Sequence, residues 1–339
     1  MLDVFNSSAF TTLRLTQALN ELKFVPGRIG QLGLFETERS TTTQIAVEKR
    51  GEILSLVPPT PRGAPGVSAA KEKRDLRSFV VPHFEINDAI YAEEVQNVRA
   101  FGSEDSLQTV IDRVNARLAS HNNSMASTEE YARIGAIKGI VTYSDGSTLN
   151  LFTEFGVTQE TEIDFDLDNA TPVDGVLRKR CAAVVRQVAG ILDGLAFTRL
   201  HAFCGDAFYD DLIAHKEVRE TYKNQTEASQ LRSAYVAPGA LSFGAFEFGG
   251  ITFENYRGAV GGTSFVATDK CHVFPIGVPG LFKSVYAPAD YEETVNTLGE
   301  RLYARQYAMS NGKGRHLDVQ MNALQYCSRP KALIQLRRT

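Results

Sequence analysis

TTTQIAVEKRGEILSLVPPTPRGAPGVSAAKEKRDLRSFVVPHF, residues 41–84, consists of two β-prone arms around a stiff tip. The arms, Thr41–Val57 and Arg74–Phe84, flank Pro58, Pro59, Pro61, Gly63, Pro65 and Gly66. Four of the chain's twelve prolines fall between positions 58 and 65, which rules out a helix or a central strand there. What remains is a long two-stranded ribbon with a tip that cannot pair. Such a ribbon is marginal alone in water. An ordered ribbon needs something outside it to pack against, and that points to a partner subunit.

Upstream, Leu15, Ala18, Leu19 and Leu22 fall at i, i+3, i+4 and i+7, one apolar helical stripe that Pro26-Gly27 ends. The stripe suits either an arm reaching a neighbour or a helix packed on its own domain. Downstream, the spacing predicts a helix over residues 103–120, with Leu107, Val110, Ile111, Val114 and Leu118 on one face, interrupted by His121-Asn122-Asn123. A second helix opens on the capping-box pattern Ser127-x-x-Glu130, carries Tyr131, Ile134 and Ile137, and stops at Gly139. Val141 and Tyr143, then Leu149 and Leu151, alternate around Asp145-Gly146, a strong hairpin signal. Residues 154–174 hold seven acids and no bases and read as a solvated connection.

Thr171-Pro172-x-Asp174 then supplies an N-cap, an N1 proline and an N3 acid for a helix ending at Asp193-Gly194. A strand over 196–203, a short helix over 207–215 and Phe-rich strands around Gly249-Gly250 come next. A Gly-rich loop over 257–270 and a strand over 265–274 precede a short helix over 288–298. The strands 302–309, 319–326 and 331–336 close the chain. Segregated helices and antiparallel strands indicate an α+β fold.

Composition narrows the function. Hydrophobic residues make up 43% and charged residues 22%, and the net charge is −4, an ordinary balance that does not suit a protein gripping nucleic acid through its phosphates. No apolar run is long enough to span a membrane, and MLDVFNSSAF lacks the basic and apolar regions of a signal peptide. Cys181, Cys204, Cys271 and Cys327 form no CxxC pair and are expected as buried free thiols in a reducing compartment.

The motifs with chemical potential are weak. Gly27-x-x-Gly30-x-x-Gly33 lacks the start of a dinucleotide fingerprint, and Gly312-Lys313-Gly314 lacks P-loop spacing. Asp164-x-Asp166-x-Asp168 begins like an EF-hand loop, but Asn169 stands where Gly is needed and Gly175 where Glu is needed. His201-x-x-Cys204-Gly205-Asp206 is the most enzyme-like cluster. A strand puts positions three apart on opposite faces, so it reads as a structural thiol beside a polar strand-end His. No catalytic residue, cofactor or metal is expected. A chain with projecting arms and no catalytic signal points to assembly.

The order of parts, with local runs, resembles the lambda-type major capsid protein E family of tailed bacteriophages. The runs are Glu129-Glu130-Tyr131 through Gly135-Ala136-Ile137-Lys138-Gly139, Tyr143-Ser144-Asp145-Gly146-Ser147, and Leu200-His201-Ala202-Phe203-Cys204-Gly205-Asp206. Gly250–Gly258, Val273–Gly277, Tyr286–Tyr291, Asn296–Gly299 and Ser328-Arg329-Pro330 continue the likeness over residues 10–339.

The resemblance implies the major capsid fold of tailed phages and herpesviruses. Residues 1–40 would be an N-terminal arm, 41–86 the extended loop, 87–172 a peripheral domain with a spine helix, and 173–310 the axial domain. Residues 311–339 would return to the peripheral domain. The implied function is a non-enzymatic virion protein, made in the host bacterial cytoplasm. Its pentamers and hexamers would enclose packaged double-stranded DNA without sequence-specific binding, with a decoration protein, portal and scaffold as partners.

Within 41–84 the bases Lys49, Arg50, Arg62, Lys71, Lys73, Arg74 and Arg77 outnumber the acids Glu48, Glu52, Glu72 and Asp75, seven to four. We expect them to meet acids of another subunit, among them Glu154, Asp164, Asp166 and Asp168. Arg257, Gly261, Gly262 and Lys270 would belong to a loop at the five- or six-fold axis. The alternatives are the shell of a bacterial nanocompartment with protein cargo and, more remotely, an oligomeric Cys204 hydrolase.

Overall fold

In the computed structural model the described residues are 27–50, 74–95, 110–223, 242–260 and 262–339. The Leu15–Leu22 stripe, the ribbon tip and residues 103–109 lie outside them. The described residues divide into two compact units: 27–45, 80–95, 110–133 and 283–325 form the first, and the rest form the second.

The first unit is built on a five-stranded sheet. Its strands are β1 (Phe35–Arg39), β4 (His83–Tyr91), β14 (Phe282–Tyr286), β15 (Tyr303–Ala308) and β16 (Gly314–Cys327). The order is β1-β14-β16-β15, with β4 also on β16, antiparallel from Gly314↔Tyr91 to Asn322↔His83. Alternation along β16 explains its two faces. Leu317, Val319, Met321 and Ala323 enter a core with Ile90, Val114, Leu118 and Met125, whereas Asp318, Gln320 and Asn322 lie on the opposite face.

The second arm of the 41–84 stretch does not run as one strand. Pro82 has no N–H to continue a ladder, and the arm divides there into β3 (Arg74–Val80) and β4. β3 pairs with β2 (Gln44–Arg50) in a two-stranded sheet of its own.

The two helices expected on either side of 121–123 are one, α3 (Val110–Lys138), 29 residues long. The polar trio that signals a break finds partners without leaving the helix. His121 Nε2 lies 2.9 Å from Asp88 Oδ2, and Asn122 Oδ1 accepts from Arg301 Nη1 at 3.2 Å. Asn123 O accepts from Ser127 Oγ at 3.0 Å. Ser127 is therefore mid-helix and caps nothing. Ser127→Ala is expected to be neutral or stabilising by up to about 0.5 kcal/mol, where loss of a real cap costs about 1 kcal/mol. A urea midpoint lowered by the latter amount would restore the cap.

Two further expectations change. Residues 288–298 hold only a 3-10 turn, Glu292–Thr294, because Thr294 Oγ1 donates to Ala289 O and Asn322 Nδ2 donates to Pro288 O, occupying carbonyls a helix would use. The strand expected from Phe265 begins at Lys270: Lys270 N–H donates to Ala267 O, a turn that precedes β13 (Lys270–Ile276).

The second unit carries a mixed six-stranded sheet. Besides β13 it contains β7 (Ile163–Asp164), β8 (Arg199–Cys204), β9 (Ser242–Phe248), β10 (Ile251–Tyr256) and β17 (Ile334–Arg337). The order is β7-β17-β13-β8-β10-β9. β10 runs parallel to β8 and β7 parallel to β17, while the other pairings are antiparallel. β9 turns into β10 through Gly249 and Gly250, both at positive φ, where glycine is strain-free.

Helix α5 (Val176–Leu192) buries Leu177, Cys181, Val184, Val188 and Leu192, the spacing expected from the sequence. Its start differs, because the N-cap is Gly175 and no side chain of the 171–174 motif caps it. Glu217 of α7 (Lys216–Lys223) does so instead, accepting from Leu177 N at 3.0 Å and Arg178 N at 3.2 Å. A carboxylate there complements the helix dipole and offsets Arg178, Lys179 and Arg180 at the same end.

The Asp-Gly hairpin forms as β5 (Ile140–Thr142) and β6 (Thr148–Asn150), with Gly146 at φ 84° and Asp145 Oδ1 accepting from Ser147 N at 2.9 Å. Leu151 does not extend it. Asn150 Oδ1 accepts from Phe152 N and Thr153 N, starting the short helix α4 (Leu151–Glu154).

Candidate functional site

The ribbon bases fall in three groups. Arg50 ends β2 after Lys49, and Arg74 opens β3. Arg77 lies within β3, half-buried. Arg62, Lys71 and Lys73 are outside the described residues. β3 ends on Phe79, which is buried against the rings of Phe155 and Tyr326, at centroid distances of 5.7 and 6.1 Å. One end of the ribbon is thus anchored in the second unit.

The acidic segment is no solvated tether. Phe155, Phe165 and Leu167 are buried, and Phe165 N and Leu167 N donate to Arg337 O and Arg338 O, extending the sheet edge beyond β7. Acid and apolar residues alternate from 162 to 168 with Phe165 and Leu167 inward, although the regular strand is only Ile163–Asp164 and Asp166 stands at φ 51°.

Its acids face bases of the same chain. Glu160 lies 3.5 Å from Lys331, and Glu162 lies 2.6 Å from Lys270. Asp164 lies 3.0 Å from Arg337, and Asp166 lies 3.7 Å from Arg180. Asp174 reaches Lys216 at 2.9 Å. Exposed pairs of this kind contribute roughly 0.2–1 kcal/mol each, so they choose the strand's register more than they stabilise it. Asp168 is exposed, and Glu154 sits at the end of α4.

The 257–270 loop is a small hairpin, β11 (Ala259–Val260) with β12 (Thr263–Ser264), in which Val260 pairs Thr263. Gly262 at φ 81° makes the tip. Gly261 lies outside the described residues. Arg257 Nη2 is 3.0 Å from Asp206 Oδ2 at the base of the hairpin, and Lys270 starts β13. The loop's two bases therefore brace its root, and its tip is glycine.

His201 is not at a strand end. It lies within β8, 2% exposed, with Nε2 3.0 Å from Glu254 Oε2 on β10, itself fully buried. Cys204 Sγ meets Cys271 Sγ at 3.2 Å. The two members of the enzyme-like cluster thus have separate partners, and no nucleophile–base pair forms. Among the described residues no group of three or more His, Cys, Asp or Glu side chains is placed to hold a metal ion, and no helix is long and apolar enough to cross a membrane.

Gly27-x-x-Gly30-x-x-Gly33 surrounds the one-turn helix α1 (Arg28–Gln31). Ile29 N–H donates to Glu130 Oε1 at 2.9 Å. The place a phosphate would take is filled by the chain's own carboxylate.

The sequence motif Glu129-Glu130 marks a centre that local reading misses. Glu129 is fully buried on α3 and accepts from Arg133 Nη2 at 2.7 Å, from Arg301 Nε at 2.9 Å and from Tyr286 OH by a short hydrogen bond. Burial, then the Glu129 charge, raises the Tyr286 phenol above its ordinary pKa, so it stays a donor. The available signal was two adjacent carboxylates in a helix whose neighbours Tyr131, Ile134 and Ile137 are apolar.

His272, buried on β13, has its pKa pushed down to about 3, first by burial and then by Lys138 and Lys270. An unfolded His272 takes its proton near pH 6.5. Between pH 6.5 and about 3 the unfolded state therefore binds more protons, and this contribution to stability, full above pH 6.5, drains away as pH falls. The slope is at most about 1.4 kcal/mol per pH unit. His272→Leu is expected to lose less stability than wild type between pH 7 and pH 4 in paired urea titrations. Parallel curves would refute the assignment.

Among the described residues the arrangement comprises two sheet-based units, a two-stranded ribbon and charge pairs along a sheet edge. Solved structures place this fold among phage capsid proteins. A protein assigned as the capsid protein of a prophage of E. coli CFT073 superposes with TM-score 0.60 at 12% identity, covering 98% of this chain and all of the other. The capsid of Ralstonia phage GP4 gives TM-score 0.52 at 8% identity, over 89% and 86%.

Sequence comparison is more specific. Residues 11–338 match the family described as phage major capsid protein E, and the chain belongs to that family. It is 29% identical to the major capsid protein of Pseudomonas phage KPP10, over 95% of each chain. It is 25% identical to that of Salmonella phage Felix O1, over 99% of this chain and 98% of the other. The protein is a structural component of the virion, and the family is not one of enzymes.

Proposed function

We propose that copies of this chain assemble as pentamers and hexamers into the closed icosahedral head that encloses packaged double-stranded DNA, held without sequence-specific contacts. Synthesis in the host cytoplasm, a portal, a scaffold and a decoration protein belong to the same reading. In it residues 1–40 are the N-terminal arm, 41–86 the extended loop and 87–172 the peripheral domain. Residues 173–310 are the axial domain with the Arg257–Lys270 hairpin at its tip, and 311–339 return to the peripheral domain.

The observation that carries it is the ribbon. Among the described residues β2 and β3 pair only with each other, an arrangement marginal in water unless a neighbour covers it. The surplus bases of residues 41–84 give that neighbour an orientation. Lys49, Arg50, Arg62, Lys71, Lys73, Arg74 and Arg77 meet acidic surface of an adjacent subunit, with Glu154, Asp164, Asp166 and Asp168 as contributors. Asp168 is exposed, and Asp164 and Asp166 already pair within their own chain. Each contact is weak, and many per subunit make the shell.

Lys71, Lys73 and Arg74 exchanged together for Glu should leave the subunit folded by circular dichroism. Electron micrographs should show at least a tenfold fall in particle yield. Normal shells from that triple variant would sink the ribbon assignment. Wild-type particles filled with protein cargo and no DNA would sink the phage-head reading.

A further inference from the structure

Two buried thiols remain without a role. Cys204 on β8 and Cys271 on β13 are register partners across an antiparallel pair, both with no exposed surface and both reduced. Their sulfurs lie 3.2 Å apart. Gly205 N–H donates to Lys270 O at 2.9 Å, which makes that couple the hydrogen-bonded one and its neighbour, Cys204 with Cys271, the non-hydrogen-bonded one. Facing Cα atoms at such a position come about 4.5 Å apart, inside the roughly 4.4–6.8 Å that a disulfide spans. The backbone therefore needs no rearrangement for the sulfurs to join.

We propose that Cys204 and Cys271 form a latent covalent staple, closed by peroxide oxidation into an intrachain disulfide between the two central strands of the six-stranded sheet. Hydrogen peroxide oxidises one thiol to a sulfenic acid and leaves as water. The facing sulfur then attacks the sulfenic sulfur, the S–S bond forms, the S–O bond breaks and a second water leaves. Two thiols and one peroxide give one disulfide and two waters. Closure links residues 67 apart in sequence and so restricts the unfolded chain over a long loop.

Reactivity is governed by access. Burial, then the Cys204 contact, raises the Cys271 thiol well above its usual pKa, and the neutral thiol is a poor nucleophile. The staple stays open in the quiescent fold and closes when the two central strands breathe. Cys327, whose thiol burial pushes up to about 12, serves as an internal reference.

The test treats the purified full-length protein, assembled or not, with hydrogen peroxide at temperatures stepped up to just below unfolding. Samples are then unfolded in N-ethylmaleimide, digested without reductant and mapped by mass spectrometry. The expected product is one peptide pair joined through Cys204 and Cys271, two hydrogens lighter than the two thiol peptides and split by dithiothreitol. Its yield rises with temperature, and the oxidised protein melts several degrees higher than the reduced one. Cys271→Ser should lose the pair and collect sulfinic acid on Cys204. The proposal fails if wild-type Cys204 and Cys271 both carry maleimide after peroxide. It also fails if each is overoxidised with no linked peptide. The wild-type map decides the matter even if the variant does not fold, and it is independent of whether shells form.

Discussion

Glu129→Ala is expected to lose about 3–5 kcal/mol of stability, the range for breaking a buried ion pair by removing one member. The carboxylate is fully buried and holds Arg133, Arg301 and Tyr286 together. Its removal leaves two guanidinium groups without their shared counter-ion and a buried phenol without this acceptor, each a desolvation cost. Domains are stable by only about 5–15 kcal/mol, so the variant should also yield few particles. Glu129→Gln keeps one acceptor and should fall in between. Urea unfolding of the three proteins measures this, and an alanine variant within about 1 kcal/mol of wild type would show that the hub is dispensable.

Gly205→Ala is the second large effect, expected at about 3 kcal/mol. Here the backbone is unstrained, with φ −75°, and the obstacle is space. A Cβ would stand 2.1 Å from Ala267 O and 2.6 Å from Thr268 Cα. Those are backbone atoms, which no rotamer change can move aside, and overpacking costs typically 1–3 kcal/mol, occasionally more. The approach is enforced from both sides: Gly205 N–H donates to Lys270 O, and Phe208 N–H, in helix α6 (Asp206–Ala214), donates to Thr268 O at 2.9 Å. Gly190→Ala is the control, since a Cβ there meets nothing within 4 Å. In the last turn of α5 it should be neutral or stabilise by up to about 0.5 kcal/mol. Equal midpoints for the two variants would refute the steric reading.

The legible elements were those whose cause is local. Alternation around Asp145-Gly146 gives β5 and β6 because the tight turn closed by Tyr143 and Ser147 needs a residue at positive φ, which Gly146 supplies. The spacing from Leu177 to Leu192 gives α5 because one face must be apolar. Pro82 was visible as well, but its effect was not: it ends the ribbon and sends the next nine residues to a different sheet. His121-Asn122-Asn123 and Ser127-x-x-Glu130 misled for a related reason. A polar run breaks a helix only when it lacks partners, and here Asp88 and Arg301 supply them.

The acidic run from 154 to 174 shows the same limit in electrostatics. Composition alone makes it solvated, whereas alternation with Phe165 and Leu167, and bases from remote strands, make it a sheet edge. Ordered local motifs over nearly the whole length were sufficient to identify the capsid family, since Glu129–Gly139, His201–Asp206 and Gly250–Gly258 each carry a close approach or a buried pair.

By itself the chain's order of residues determined the class of fold, the two arms β2 and β3, most strands and α5, through periodicity and turn chemistry that act over a few residues. Tertiary structure alone decided where the buried charges and thiols go. Glu217 caps a helix 40 residues away, Glu129 meets Tyr286 and Arg301 at separations of 157 and 172, and Cys204 meets Cys271 at 67. No spacing rule encodes such partners, because they are chosen by which strands lie side by side once the apolar faces are buried.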